Sequence, residues 1–261
     1  VTRPRPGTPA TLVPHHTNTD SDRDTWYDLS GNGNDGTLTG FSAWDGLTDG
    51  WTNDAALLLA GAQYIVCPDI GACESLAFTY EAWIRTDYTG QVQILVSECG
   101  TNTIVTLGLS VAGQAYARIR SDTLADSSRQ GTTVLTGAWH HLVLSARTTQ
   151  WLLYCDGSPV GSAVSMPSGG LVTTATYVGA RAVPFLRYYT HGRLSVARIY
   201  AGVGLSTEQI QQNYAAGPAG WGYVRDDLAL DLNAARVIPG SAPIPGGVTV
   251  TTETKRYILD S

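Results

Sequence analysis

The run Asp28-Leu29-Ser30-Gly31-Asn32-Gly33-Asn34-Asp35-Gly36 crowds four carboxylate or carboxamide side chains, Asp28, Asn32, Asn34 and Asp35, into one short stretch. Gly31, Gly33 and Gly36 make successive tight turns cheap there, because glycine enters φ > 0 without strain and Asn tolerates it. Calcium takes six to eight oxygens from carboxylates, amides and carbonyls, so this composition suits a calcium cradle. It equally suits a self-bonded turn in which Asx oxygens cap their own backbone. Both readings stand on the residues alone.

Other chemistry-bearing patterns are weaker. Asp20, Asp22 and Asp24 have the D-x-D-x-D spacing that opens a calcium loop. Thr25 occupies the sixth position instead of Gly, and Gly31 the twelfth instead of Glu, so the stretch reads as a solvated acidic linker. Glycoside hydrolysis needs two carboxyl groups facing one another across the scissile bond. Glu occurs only at positions 74, 81, 98, 208 and 253, and no predicted strand holds two of them. His140 and His141 are adjacent on a predicted strand, so one points in and the other out. No Gly-x-Ser-x-Gly elbow supports a serine nucleophile. The expectation is a chain that does no catalysis.

The elements that carry these residues are strands. Leu76 to Thr86, Gln91 to Ser97, Thr103 to Val111, Ala115 to Arg120, Trp139 to Ala146 and Gln150 to Cys155 are rich in β-branched and aromatic types, with Gly or Asp turns between them. Asp156-Gly157 predicts a hairpin turn into Ser158 to Ser162. Leu171 to Gly179 and Gly192 to Tyr200 complete the set, after shorter candidates at Leu57 to Leu59 and Gln63 to Val66. Many short strands at near-regular spacing predict a β-sandwich or jelly roll. One helix is expected, capped by Ser206 and running to Gly217.

The ends differ from the middle. Residues 1–25 carry Pro4, Pro6, Pro9 and Pro14 and read as an extended arm. Residues 218–261 hold two strand-like runs, Asp227 to Leu232 and Val248 to Leu259, too small for a core of their own. They must pair with the main domain of residues 26–217 or with another subunit.

Composition narrows the class. The chain has 261 residues, a net charge of −6 and an apolar content of 43%, which is globular. Lys255 is its only lysine and no basic patch stands out, so nucleic acid is not the expected partner. No apolar run reaches membrane-spanning length. The sequence starts at Val1, as a processed product or a fragment would. Cys67, Cys73, Cys99 and Cys155 lack a zinc pattern. Cys67 and Cys73 flank a short loop and are the expected bridge, with Cys99 and Cys155 either paired or buried as small apolar residues. This usage favours an oxidising, extracellular setting.

Several segments resemble laminin G-like domains of the concanavalin A-like lectin and glucanase superfamily, over roughly residues 26–217. Trp26-Tyr27-Asp28-Leu29-Ser30-Gly31-Asn32-Gly33-Asn34 resembles the family's opening. Phe78-Thr79-Tyr80-Glu81-Ala82-Trp83-Ile84 and Gly137-Ala138-Trp139-His140-His141-Leu142 resemble two of its strands. Tyr154-Cys155-Asp156-Gly157 resembles "YVDG", with Cys where Val is usual. Gly192 to Tyr200 and Leu205 to Ile210 resemble the closing strand and helix. The resemblance implies a concanavalin A-like jelly-roll sandwich. Ser195 and Val196 replace the family's Asp-Glu pair, which weakens the calcium reading.

These readings lead to a non-catalytic structural or adhesion subunit of a virion or extracellular filament. It would contact copies of itself or neighbouring subunits through its arms, by strand addition. The alternative is a carbohydrate-binding module on an extracellular or virion surface, with Ca²⁺ as a candidate cofactor. Its surface glycans would stack on loop aromatics: Trp44, Trp51, Tyr88, Tyr188 and Tyr189. Trp83 and Trp139 read as core. A glycoside hydrolase is the third reading.

Overall fold

The computed structural model describes residues 24–52, 56–135, 137–182, 186–218, 223–225 and 227–233. The proline-rich arm before Asp24, with Asp20 and Asp22, and the run Val248 to Leu259 lie outside the described residues.

In chain order the first strands are β1 (Thr25–Trp26), β2 (Gly36–Thr39), β3 (Gly50–Thr52), β4 (Ala56–Ala60) and β5 (Tyr64–Cys67). A 3-10 turn at Ala72–Ser75 leads into β6 (Phe78–Arg85), β7 (Gln93–Cys99), β8 (Ile104–Leu109), β9 (Gln114–Arg120) and β10 (Asp126–Val134). Then come β11 (Trp139–Arg147), β12 (Gln150–Cys155), β13 (Ser158–Pro159), β14 (Val164–Ser165), β15 (Ala175–Val178) and β16 (His191–Ala201). Helix α1 (Thr207–Ala216) and β17 (Leu228–Asn233) close the described chain.

The strands form two antiparallel sheets. One runs β1-β2-β5-β15-β7-β8-β9-β10 and the other β13-β12-β11-β6-β16-β4-β3, with β14 on β12 and β17 on β16. This is the sandwich that the alternation predicted. Leu57, Leu59, Ile65, Phe78, Leu107, Ile119, Leu144 and Leu153 fill the space between the sheets. Period-two burial is clearest in β9, where Ala115, Ala117 and Ile119 point in while Tyr116, Arg118 and Arg120 point out.

Strand β6 is buried on both faces. Phe78, Tyr80, Ala82 and Ile84 face the other sheet. On the outer side Trp83 stacks on Tyr214 of α1, so this tryptophan is buried beneath the helix, outside the inter-sheet core. Val143, Tyr154, Tyr200, Leu205 and Ile210 form a second apolar cluster there, with Tyr223, Val224 and Leu228. The helix begins where the sequence placed it. Ser206 accepts from Gln209 N, and the Gln209 side chain accepts from Ser206 N, a reciprocal cap. The Asp156-Gly157 turn takes positive φ at both residues, as a two-residue hairpin requires.

The cysteines depart from expectation. No disulfide joins Cys67, Cys73, Cys99 or Cys155. Cys73 sits at the 3-10 turn beside Glu98 and Tyr80, whereas Cys67 lies nearer the carboxylates of Asp28 and Asp35. Cys99 is on β7 and Cys155 on β12, in opposite sheets. Burial pushes the Cys67 and Cys73 thiols well above their usual range, which fits small apolar core residues.

Candidate functional site

Three polar assemblies stand out. The first is the Asp28 loop. Asp28 is buried, and its carboxylate accepts from Ser30 N at 2.9 Å, Asn34 N at 2.9 Å, Asp231 N at 3.0 Å and the Ser30 hydroxyl. Asp35 Oδ1 accepts from Asp28 N. Asn32 and Asn34 turn their Nδ2 groups onto the carbonyls of Leu228 and Ala229, each at 2.8 Å. These residues do come together, but as a self-bonded turn that clamps β17. Both Asp28 oxygens face N–H donors and both carboxamides present nitrogen to β17, so this arrangement does not fit a calcium ion, whose ligands must all be oxygens.

The second assembly is a buried ionic cluster on the outer face of the nine-stranded sheet. Arg198 Nη1 donates to Glu81 Oε1 at 2.7 Å, and its Nε donates to Asp231 Oδ1 at 3.0 Å; all three residues are fully buried. Asn213 of α1 donates to Glu81 Oε2 at 2.7 Å. His141 Nε2 lies 3.1 Å from Glu81 Oε1, and the Arg198 guanidinium stacks on Tyr223. Burial alone would raise the Glu81 pKa. Arg198, with His141 and Asn213, overrides it and holds the carboxyl down at about 2. Glu81 therefore ties β6 to β11, β16 and α1, and through Arg198 to β17, and has no face toward solvent for acid–base chemistry. Glu98 is equally buried and accepts from Ala72 N, Cys73 N and the Tyr80 hydroxyl.

The third assembly lies on the outer face of the eight-stranded sheet. Register aligns Val66, Tyr177, Ser97, Thr106, Arg118 and Ser128 in one row across β5, β15, β7, β8, β9 and β10. Tyr64, Tyr177 and Tyr189 are half-buried there, with Tyr64 centred 6.3 Å from Tyr177 and 6.2 Å from Tyr189. Beside them the chain doubles back through the Arg181–Arg187 bridge. Tyr188 is flanked by both guanidiniums, at 4.6 Å from Arg181 and 4.7 Å from Arg187. The Ser97 hydroxyl donates to Ala180 O and Ile94 N to Tyr188 O, which pins this fold-over to the sheet. Arg181 is 4% exposed, and its Nε has no hydrogen-bond partner among the described residues; the Thr106 hydroxyl is likewise enclosed. Arg118 pairs with Asp126 across the neighbouring strands. The surface thus combines aromatic faces, guanidinium donors and a carboxylate.

The loop aromatics fall in different places. Tyr188 and Tyr189 belong to this face. Trp51 packs edge-on against Trp26, and Trp44 stacks on Phe41; both tryptophans are nine-tenths buried. Tyr88 is 38% exposed and stacks on His191 at 3.9 Å. Tyr64 and Tyr177 lie on strands β5 and β15, outside the loops to which the sequence points for binding aromatics. The signal was present in Gln63-Tyr64-Ile65-Val66, where an inward Ile65 makes Tyr64 outward.

The family model described as the concanavalin A-like lectin/glucanases superfamily matches residues 59–211, more than half of the chain. The chain belongs to this superfamily. No curated protein is similar to it in sequence at a significant level. Solved structures of the superfamily fold resemble it. Domain 4 of AbnA, an extracellular arabinanase from Geobacillus stearothermophilus seen with arabinotriose, is 22% identical, with a TM-score of 0.57 over 74% of this chain and 94% of that one. The binding domain of botulinum neurotoxin serotype D is 12% identical, with a TM-score of 0.56; the match spans 74% of this chain but only 48% of that one. A proposed carbohydrate-binding protein from Bacteroides ovatus is 22% identical, with a TM-score of 0.50 over 82% of this chain and 61% of that one. Several of these neighbours are thus binding domains. Among the described residues no helix is long and apolar enough to cross a membrane.

Proposed function

We propose that this lectin-like sandwich is a non-catalytic carbohydrate-binding module whose site is the outer face of the eight-stranded sheet. The observation that carries the reading is the patch of Tyr64, Tyr177 and Tyr189 beside Tyr188 and the Arg181–Arg187 pair. Sugars stack their apolar faces on aromatic rings and take hydrogen bonds from planar, preorganised donors. The arabinotriose seen with the arabinanase domain supports a glycan as the class of ligand. The absence of catalysis rests on the strand glutamates: Glu81 and Glu98 are both buried and spent on structural partners. An extracellular or virion-surface location belongs to this reading, as does Tyr88 as an outlying contact.

Assembly into a filament or particle would fall to residues 1–23 and 234–261, because β17 pairs within its own sheet. It is tested by light scattering of the full chain against one lacking those segments.

The binding reading is tested on a glycan array that includes arabino-oligosaccharides, followed by calorimetry. Tyr177→Ala and Tyr189→Ala should each weaken the best glycan at least tenfold with little change in melting temperature. An array without hits, or binding indifferent to both substitutions, overturns it.

A further inference from the structure

A cleft of about 620 Å³ opens where β10, β11 and the β12–β13 hairpin meet, lined among others by Leu135, Gln130 and Val160. Its wall also carries His140, Cys155 and Asp156. A ring nitrogen of His140, the Cys155 sulfur and an Asp156 carboxylate oxygen all lie within 4.8 Å of one another. The fold fixes two of the three. His140 Nδ1 is 2.8 Å from Asp156 Oδ2, while Asp156 Oδ1 accepts from His141 N at 2.8 Å, so the carboxylate is held from both sides. The positive φ of Asp156 and Gly157 folds the turn back against β11.

We propose that His140, Cys155 and Asp156 form a binding site for a divalent transition metal of the zinc class. One nitrogen, one sulfur and one oxygen donor match a borderline-soft ion and exclude calcium or magnesium, which require oxygen shells. Three protein ligands leave a fourth position for water or an exogenous oxygen donor from the cleft. On binding, the metal–sulfur bond replaces the Cys155 S–H bond and the proton leaves to solvent. The site uses none of the tyrosine face and does not depend on glycan binding.

The test titrates the purified full chain with Co²⁺ and reads the near-ultraviolet thiolate-to-cobalt charge-transfer band, then displaces it with Zn²⁺. One equivalent should saturate the band. Cys155→Val, which keeps an apolar side chain of similar size, should abolish it with the circular dichroism spectrum unchanged. His140→Gln should weaken Co²⁺ at least tenfold. In the wild type, stoichiometric Zn²⁺ should slow alkylation of Cys155 by iodoacetamide at least tenfold, followed by mass spectrometry, which needs no variant to fold. No band, a band that survives in Cys155→Val, or unchanged alkylation overturns the proposal.

Discussion

Asp28 Oδ1 accepts the backbone N–H of Asp231 at 3.0 Å, across 203 residues of sequence. The exchange is reciprocal, since Leu29 N donates to Asp231 O at 3.0 Å. The glycine-rich loop therefore serves as the partner for the free edge of β17, whose other edge lies on β16.

Asp28→Ala removes the acceptor of three backbone N–H groups and one hydroxyl, leaving buried donors unsatisfied. The expected loss is about 3 kcal/mol, read from the urea midpoint. Because those oxygens already face N–H donors, added Ca²⁺ should leave the wild-type melting temperature unmoved. An upward shift that disappears in Asp28→Ala would make the loop a calcium site.

Arg198→Met tests the ionic cluster. It strands the Glu81 and Asp231 carboxylates in a dry interior, and the expected cost is about 3–5 kcal/mol by chemical denaturation. Ending the chain at Gly217 deletes Asp231 and β17, and should destabilise by a comparable amount. A truncated chain as stable as the full one would contradict the role given to β17.

Acid should unfold the domain through the same cluster. The folded pKa of Glu81 is held at about 2, below its ordinary 4.5. Its contribution is therefore complete above about pH 4.5 and is lost as pH falls toward about 2. Stability measured over that window should fall with acid in the wild type and fall less in Glu81→Gln.

The cysteines give a simple assay. Without reductant, denatured protein should titrate four thiols with a colorimetric disulfide reagent, and dithiothreitol should not change the melting temperature. Fewer than four thiols would restore a bridge.

The sandwich and α1 were legible because their signals are local: alternation in β9, the Asp156-Gly157 turn, the Ser206 cap. The Glu81 cluster was not. Glu81, Arg198, Asn213 and Asp231 lie on four different elements, and only the pairing of β6 with β16 and β16 with β17, with α1 packed over them, makes them neighbours. On its own strand Glu81 looked isolated. The tyrosine face was half legible: Tyr188 and Tyr189 fell in a segment read as loop, while Tyr64 and Tyr177 needed the β5–β15 register to become one surface. Proximity in sequence misled for Cys67 and Cys73, because the 3-10 turn between β5 and β6 gives each sulfur different neighbours.

The clamp between the Asp28 loop and β17 also laces the two sheets together, because the loop joins β1 and β2 of the eight-stranded sheet while β17 lies on β16 of the nine-stranded one. Releasing β17 would therefore loosen the β1–β2 edge of the tyrosine-bearing sheet as well as the strand itself.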